Sequence, residues 1–278
     1  MIFFRNFVEN YLVMSPFTKI ALIGSGNVAA SFFNALNDND IYVSCVFVRN
    51  ADKKSEAETL FGNIVVSDYE ELFDCDLIII AVNDDAIAEV VSNLSDYKGL
   101  LLHTSGTKPS SVLNIVDNYG VIYPLQTLTK NVSVDFRAIP LLITASSSDN
   151  LAKLASFAES LSDVVVECPD EDRIFIHASA VYVSNFVNVL LQIGEKLLIN
   201  KGYKISLMEP LVNETINKAF ALGPEKALTG PARRGDPFRR SPAFSGGDPQ
   251  VRIPACRRSS VVTEYDRKTA PGSSTGQV

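Results

Sequence analysis

Three groups of residues have the types and spacing to bind and transform a small molecule. The first is Gly24-Ser25-Gly26-Asn27-Val28-Ala29, which follows the apolar run Ile20–Ile23 and precedes a helical pattern. In a GxGxxA turn between strand and helix, the first glycine makes the tight turn. The second lets a pyrophosphate approach the backbone, and the small third residue lets helix and strand pack closely. The helix N-terminus then holds the anion through its free N–H groups and its dipole. A dinucleotide is therefore expected on Gly24, Ser25, Gly26, Asn27 and Val28. The second group is Arg49-Asn50, which ends the next apolar run with Lys53 and Lys54 close behind. An Asp or Glu there would bind the ribose 2′-hydroxyl of NAD, whereas a guanidinium can hold a 2′-phosphate bidentately. NADP is expected ahead of NAD; a solvated charge cluster at a helix start is the alternative. The third group is His177, Ser184, Asn185 and Asn188, which share an arc of about 100° on an otherwise apolar helical stretch. Buried polar groups need partners, so this line either bonds internally or faces a cleft. On the cleft reading His177 and Asn185 orient a substrate or carry its proton, while Ser184 and Asn188 bind it.

The elements that must position these residues alternate between apolar β-branched runs and helical stretches. "IYVSCVFVRN", "DLIIIAVNDDAIAEVV", "GLLLHTSGT", "YGVIYPLQTL" and "IPLLITASS" supply the further strands. That alternation predicts an α/β fold: an N-terminal Rossmann domain with a doubly wound parallel sheet over residues 17–145, helices on both faces, and ligands at the carboxyl ends of the strands. Val82 and Asn83, after the fourth strand, complete the dinucleotide crevice. Ser105, in "HTSGT", stands where a nicotinamide ring would reach and is assigned a catalytic role, with a helix-capping serine as the alternative; His103 is expected to be a satisfied core histidine. Residues 146–236 are expected to form an all-helical substrate and dimerisation domain. Its long stretch from about Glu171 to Tyr203 is apolar nearly all round, so it should be buried in that domain or in a dimer interface. Arg234, in the Gly/Pro-punctuated segment from Thr229 to Asp236, suits an anionic group of the substrate; a plain surface loop explains the same residues equally well.

Composition narrows the function classes. The net charge is −7, and nine Lys/Arg against four Asp/Glu after residue 230 leave the preceding chain more acidic still, which argues against a nucleic-acid partner. Cys45, Cys75, Cys168 and Cys256 are scattered and only His103 and His177 could join them, so no metal site is expected. Four isolated thiols fit a reduced, cytoplasmic protein. The N-terminal stretch is interrupted by Arg5, Asn6, Glu9 and Asn10 and has the pattern of neither a membrane span nor a signal peptide. Residues 1–16 are read as an extension, with Met14 as the natural start.

GSGNVA, VNDDAI, HTSG, YPLQT, HASAVYVSN and LTGPARRGD, in this order, resemble the Rossmann-like oxidoreductases that carry the C-terminal domain of unknown function 2520. These are relatives of pyrroline-5-carboxylate reductase, prephenate dehydrogenase and the 6-phosphogluconate dehydrogenase group. The resemblance spans about Thr18 to Asp236. It implies a nicotinamide-dinucleotide fold, a helical C-terminal domain that makes a homodimer, and hydride transfer on a C=O or C=N group of a small substrate. A dinucleotide-binding sensor without turnover is the rival reading, and a structural dimer that binds no dinucleotide a third. Two departures stand out. Tyr123-Pro124 replaces the family's His-Pro, which weakens a proton-donor role there. After Asp236 the family's leucine-bearing helix is replaced by "PFRRSPAFSGGDPQVRIPACRRSS". From Pro231 onward there are six prolines, five glycines and one isoleucine, too little apolar surface to offset ordering entropy. Residues 237–278 are read as an irregular tail, with a frameshift near codon 236 preferred over a basic segment for an acidic partner.

Overall fold

Every residue of the run Ile20–Ile23 is buried, which requires cover on both faces of its strand. A computed structural model of the chain describes residues 15–130, 132 and 134–228. Strands β1 (Ile20–Ile23), β2 (Val43–Phe47), β3 (Val65–Val66), β4 (Leu77–Ile80), β5 (Leu100–His103), β6 (Tyr119–Pro124), β7 (Leu141–Ala145) and β8 (Val165–Glu167) form one sheet in the order β3-β2-β1-β4-β5-β6-β7-β8. Helices α1 (Asn27–Asp38), α2 (Lys54–Phe61), α3 (Ile87–Ser92) and α4 (Ser148–Leu161) connect or flank them. β1 pairs in parallel with both β2 and β4, so the chain winds in opposite directions from β1. That switch point opens the crevice at the strands' carboxyl ends.

The residues of β1, β4 and β5 alternate between the two faces, as a period of two demands. Ile20, Leu22, Leu77, Ile79, Leu100 and Leu102 pack with Phe32 and Leu36 of α1 and with Leu154, Phe157 and Leu161 of α4. Ala21, Ile23, Ile78, Ile80 and Leu101 pack on the opposite face with Ile87, Val90 and Val91 of α3. The Rossmann architecture expected from the sequence is therefore present.

Two details differ from expectation. β7 runs antiparallel to β6, with Ile122 opposite Ile143. Among the described residues, the link between them carries only the short 3-10 turn Phe136–Ala138, and without a crossover helix the chain has no route back to a parallel start. The expected boundary after residue 145 falls inside the sheet layer, because α4 joins its apolar core and β8 pairs with β7. A helical pattern marks a helix, but what the helix covers decides its domain.

α5 (Asp170–Ile199) follows, with Asp170, Glu171 and Asp172 in its first turn complementing the helix dipole. Among the described residues of its own unit this helix does not find the expected burial: Arg173 is its one buried residue, and Phe175, Tyr182, Val183 and Leu190 are each at least 66% exposed. α5 is long and apolar enough to cross a membrane by length and composition, with a mean hydropathy of 1.6. The chain divides into compact units at Asn200/Lys201. The described part of the second unit holds α6 (Glu209–Leu222), with a proline in its first turn, and α7 (Pro224–Ala227). The expectations for Met14, Arg234 and the tail after Asp236 lie outside the described residues.

Candidate active site

The glycine turn takes its shape from close backbone packing. Gly24 has φ +120°, and a Cβ there would lie 2.4 Å from the Ala81 carbonyl oxygen, so no other residue fits without rearrangement. Its N–H donates to the Phe47 carbonyl at 3.0 Å, tying the turn to the end of β2. Gly26, the N-cap of α1, has open space where a Cβ would be. A ligand can therefore approach the backbone N–H groups that begin α1.

A cavity of about 220 Å³ lies over this turn. It brings together seven of the nine residues expected to bind the dinucleotide: Gly24, Ser25, Gly26, Arg49, Asn50, Val82 and Asn83. Asn27 and Val28 do not line it. Asn27 accepts a hydrogen bond from the Lys130 backbone N–H at 3.1 Å, and Val28 packs against the core. Lys53 joins the lining unassigned by the sequence reading, although its place just after Arg49-Asn50 was a signal; among the described residues no carboxylate lines the cavity. Arg49 Nη1 pairs with Glu89 of α3 at 2.5 Å, leaving the rest of its guanidinium fork available.

The tips of β4, β5 and β6 follow along the same edge of the sheet. At the tip of β5, His103 is fully buried and bonded on both nitrogens. Its Nδ1 accepts from the Ser105 N–H at 3.1 Å, which places the proton on Nε2, facing the Pro109 carbonyl at 3.3 Å. Burial lowers its pKa to about 4, so it is a neutral core histidine as expected. Ser105 Oγ accepts from the backbone N–H groups of Thr107 and Lys108 at 3.1 and 3.0 Å. That is the capping arrangement the sequence left open, and Ser105 lines neither this cavity nor the next.

The turn after β5 is fastened to α5. Asp170 Oδ2 accepts from both the N–H and the hydroxyl of Ser110, at 2.8 and 2.9 Å. Fully buried Arg173 pairs with Asp170 at 2.8 Å and donates to the Lys108 carbonyl at 2.6 Å. Burial pushes the Asp170 pKa up, but the Ser110 bonds and the Arg173 charge outweigh it and hold it below the usual carboxylate range.

One turn beyond Arg173, His177 Nδ1 meets the Tyr123 hydroxyl of β6 at 2.8 Å, with the rings edge-to-face at 5.7 Å. Gly106 lies against both rings: a Cβ there would stand 2.4 Å from His177 Nδ1 and 2.9 Å from Tyr123 Cζ. The glycine of HTSG thus makes room for the pair. Burial raises the Tyr123 phenol pKa above its ordinary value, with Asp84 reinforcing and Arg173 opposing the shift. Beside the pair is a cavity of about 690 Å³, lined by Tyr123, Gln126, Thr127, His177, Ser179, Ser184 and Asn185 among apolar side chains. Three of the four residues on the predicted polar line therefore share one cleft. Asn188 does not line it and accepts a hydrogen bond from Gln192 on the helix surface at 3.0 Å. Tyr123, Gln126 and Thr127 were not among the predicted site residues; contact between β6 and α5 is a tertiary fact. No Lys, Arg, Asp or Glu lines this cavity, so among the described residues it carries no anion contact of the kind expected from Arg234.

Comparison with known proteins shows what the chain is similar to as a whole. Residues 19–102 match the family described as NADP oxidoreductase coenzyme F420-dependent, and residues 139–237 match the domain of unknown function DUF2520. A candidate NADP oxidoreductase from Bacteroides fragilis is 34% identical over 79% of this chain and 86% of its own, with a TM-score of 0.72. A protein from Thermotoga maritima shares the fold at 20% identity over 78% of this chain and 85% of its own, with a TM-score of 0.60. A pyrroline-5-carboxylate reductase from Streptococcus pyogenes does so at 16% identity, 90% and 91% coverage, and a TM-score of 0.57. No curated protein matches the chain.

Proposed function

We propose, because the chain belongs to the NADP oxidoreductase family with a DUF2520 C-terminal region, that it transfers hydride between NADP and a C=O or C=N carbon of a small substrate. The observation that carries this reading is the cavity over the glycine turn, lined by Arg49 and Lys53 and, among the described residues, by no carboxylate. Gly24 and Gly26 admit the pyrophosphate to the start of α1, and Arg49 with Lys53 receives the 2′-phosphate. Bound there, the reduced cofactor would supply the hydride, which carries both electrons. The substrate occupies the cleft beside Tyr123 and His177, with Ser184 and Asn185 orienting it.

Three further readings accompany the enzyme. The exposed apolar length of α5 supports a homodimer in which each chain covers the other's helix. Cys45, Cys75 and Cys168 are free and buried, which supports a reducing compartment such as the cytoplasm. The DUF2520 match ends at residue 237, which supports reading the remaining tail as outside the family's fold.

Fluorescence titration with NADPH and NADH tests the function. NADPH should bind the more tightly, and Arg49→Ala should weaken NADPH by about 10- to 100-fold while changing NADH little. Absence of binding by either nucleotide would remove the reading.

A further inference from the structure

We propose that Tyr123 is the catalytic acid of this site and that His177 resupplies its proton. The inference rests on the oxidoreductase reading and adds the group that completes its chemistry.

Position is the first argument. The dinucleotide cavity runs from the β1 turn to Val82 and Asn83 at the tip of β4. The next tips along the edge are β5, followed by the turn with Ser105-Gly106, and β6, carrying Tyr123. Neighbouring strands stand about 4.8 Å apart, so Tyr123 lies within a few strand spacings of the pyrophosphate turn, on the wall of the second cavity. Elimination is the second argument. The Ser105 hydroxyl is occupied by two backbone N–H groups, and Thr104 donates to the Ile80 carbonyl. His103 is buried with both nitrogens engaged. Among the described residues at the tips of β4 to β6, Tyr123 is left as the proton-bearing side chain that lines the cleft, and its oxygen touches an imidazole.

The chemistry balances. When hydride from the reduced nicotinamide reaches the carbonyl carbon, the C=O π pair moves to oxygen. That oxygen takes the phenolic proton of Tyr123. The phenolate takes the proton of His177 Nδ1 as Nε2 takes one from solvent, and proton exchange with solvent then returns the imidazole to its Nδ1–H tautomer. Substrate gains a hydride and a proton, the nicotinamide is oxidised, and the protein returns to its starting state. A C=N acceptor takes the same proton on nitrogen. Burial keeps the phenol protonated at neutral pH, as an acid requires. Arg173 and Asp84 are the charged groups that act on it, and they oppose each other.

The test needs no substrate. At about pH 9.5, just below the ordinary phenol pKa, the tyrosinate absorbance of the whole protein is followed as NADP+ or NADPH is added. The two ligands fill the same cavity, but only NADP+ brings a positive ring. A cation beside Tyr123 should lower its pKa by about one unit, so NADP+ raises the tyrosinate signal and NADPH does not. Tyr123→Phe should abolish the difference. His177→Gln should move the NADP+-induced signal to higher pH, because the phenolate loses its Nδ1–H partner. Equal responses to both cofactors would mark a structural hydrogen bond and overturn the proposal. So would a difference that persists in Tyr123→Phe. Failure of both nucleotides to bind would instead overturn the oxidoreductase reading, and this proposal with it.

Discussion

His103 illustrates how one residue ties the site to acid stability. Its folded pKa is about 4 because burial disfavours the imidazolium, against about 6.5 in an unfolded chain. Below about pH 6.5 the unfolded state binds a proton that the folded state refuses, so stability falls as pH drops and levels off once the folded group titrates near 4. The loss should reach about 3 kcal/mol between pH 8 and pH 4. Asp170 acts in a lower window. Its pKa is depressed, so its contribution is present above the ordinary carboxylate value and is lost as pH falls through the depressed one. Urea unfolding of wild type and His103→Gln across this range should show the slope between pH 6.5 and 4 flattened in the variant. An unchanged slope would mean that His103 is solvated. The sequence placed His103 in the core correctly, since it ends a buried strand. It could not specify Tyr123, whose value to the site comes from a histidine 54 positions away.

At the scale of elements, the first turn of α5 is held by a buried pair rather than by apolar packing. Arg173 is fully buried and joins Asp170, the Lys108 carbonyl and, more distantly, Thr144 of β7. Its Nε has no hydrogen-bond partner, so the cluster is costly to build and costly to break unevenly. Arg173→Met should destabilise the protein by about 3–5 kcal/mol, because Asp170 is left charged and half-enclosed. Asp170→Asn combined with Arg173→Met should recover part of that loss in urea denaturation; strictly additive losses would show that the two residues act separately. The same clamp sets the registry that brings His177, one turn further on, against Gly106. A 3.6-residue period revealed the polar line of α5. Which member reaches the cleft followed from where this clamp anchors the helix.

For the whole molecule, the open question in the packing is the cover over α5. Tyr182, Phe186, Leu190 and Leu197 follow one another along the helix and are 39–68% exposed, an apolar stripe of the kind that oligomer interfaces bury. Light scattering should give twice the chain mass. Phe186→Glu with Leu190→Lys should weaken association by about 100-fold; a wild-type monomer would remove the dimer reading. By itself, the sequence determined whatever depends on neighbours along the chain. The glycine turn, the alternating buried strands and the cationic end of β2 were all legible, because turn geometry, strand period and local charge are set by adjacent residues. Only the tertiary structure decided the rest. The direction of β7 turned on a link with no crossover helix, and the membership of α4 and β8 turned on which apolar face each one met. The Tyr123–His177 pair exists because a strand tip and a helix, far apart in sequence, close on a glycine with no side chain to hold them off. Such contacts are fixed by how whole elements pack, and no local pattern of residue types encodes them.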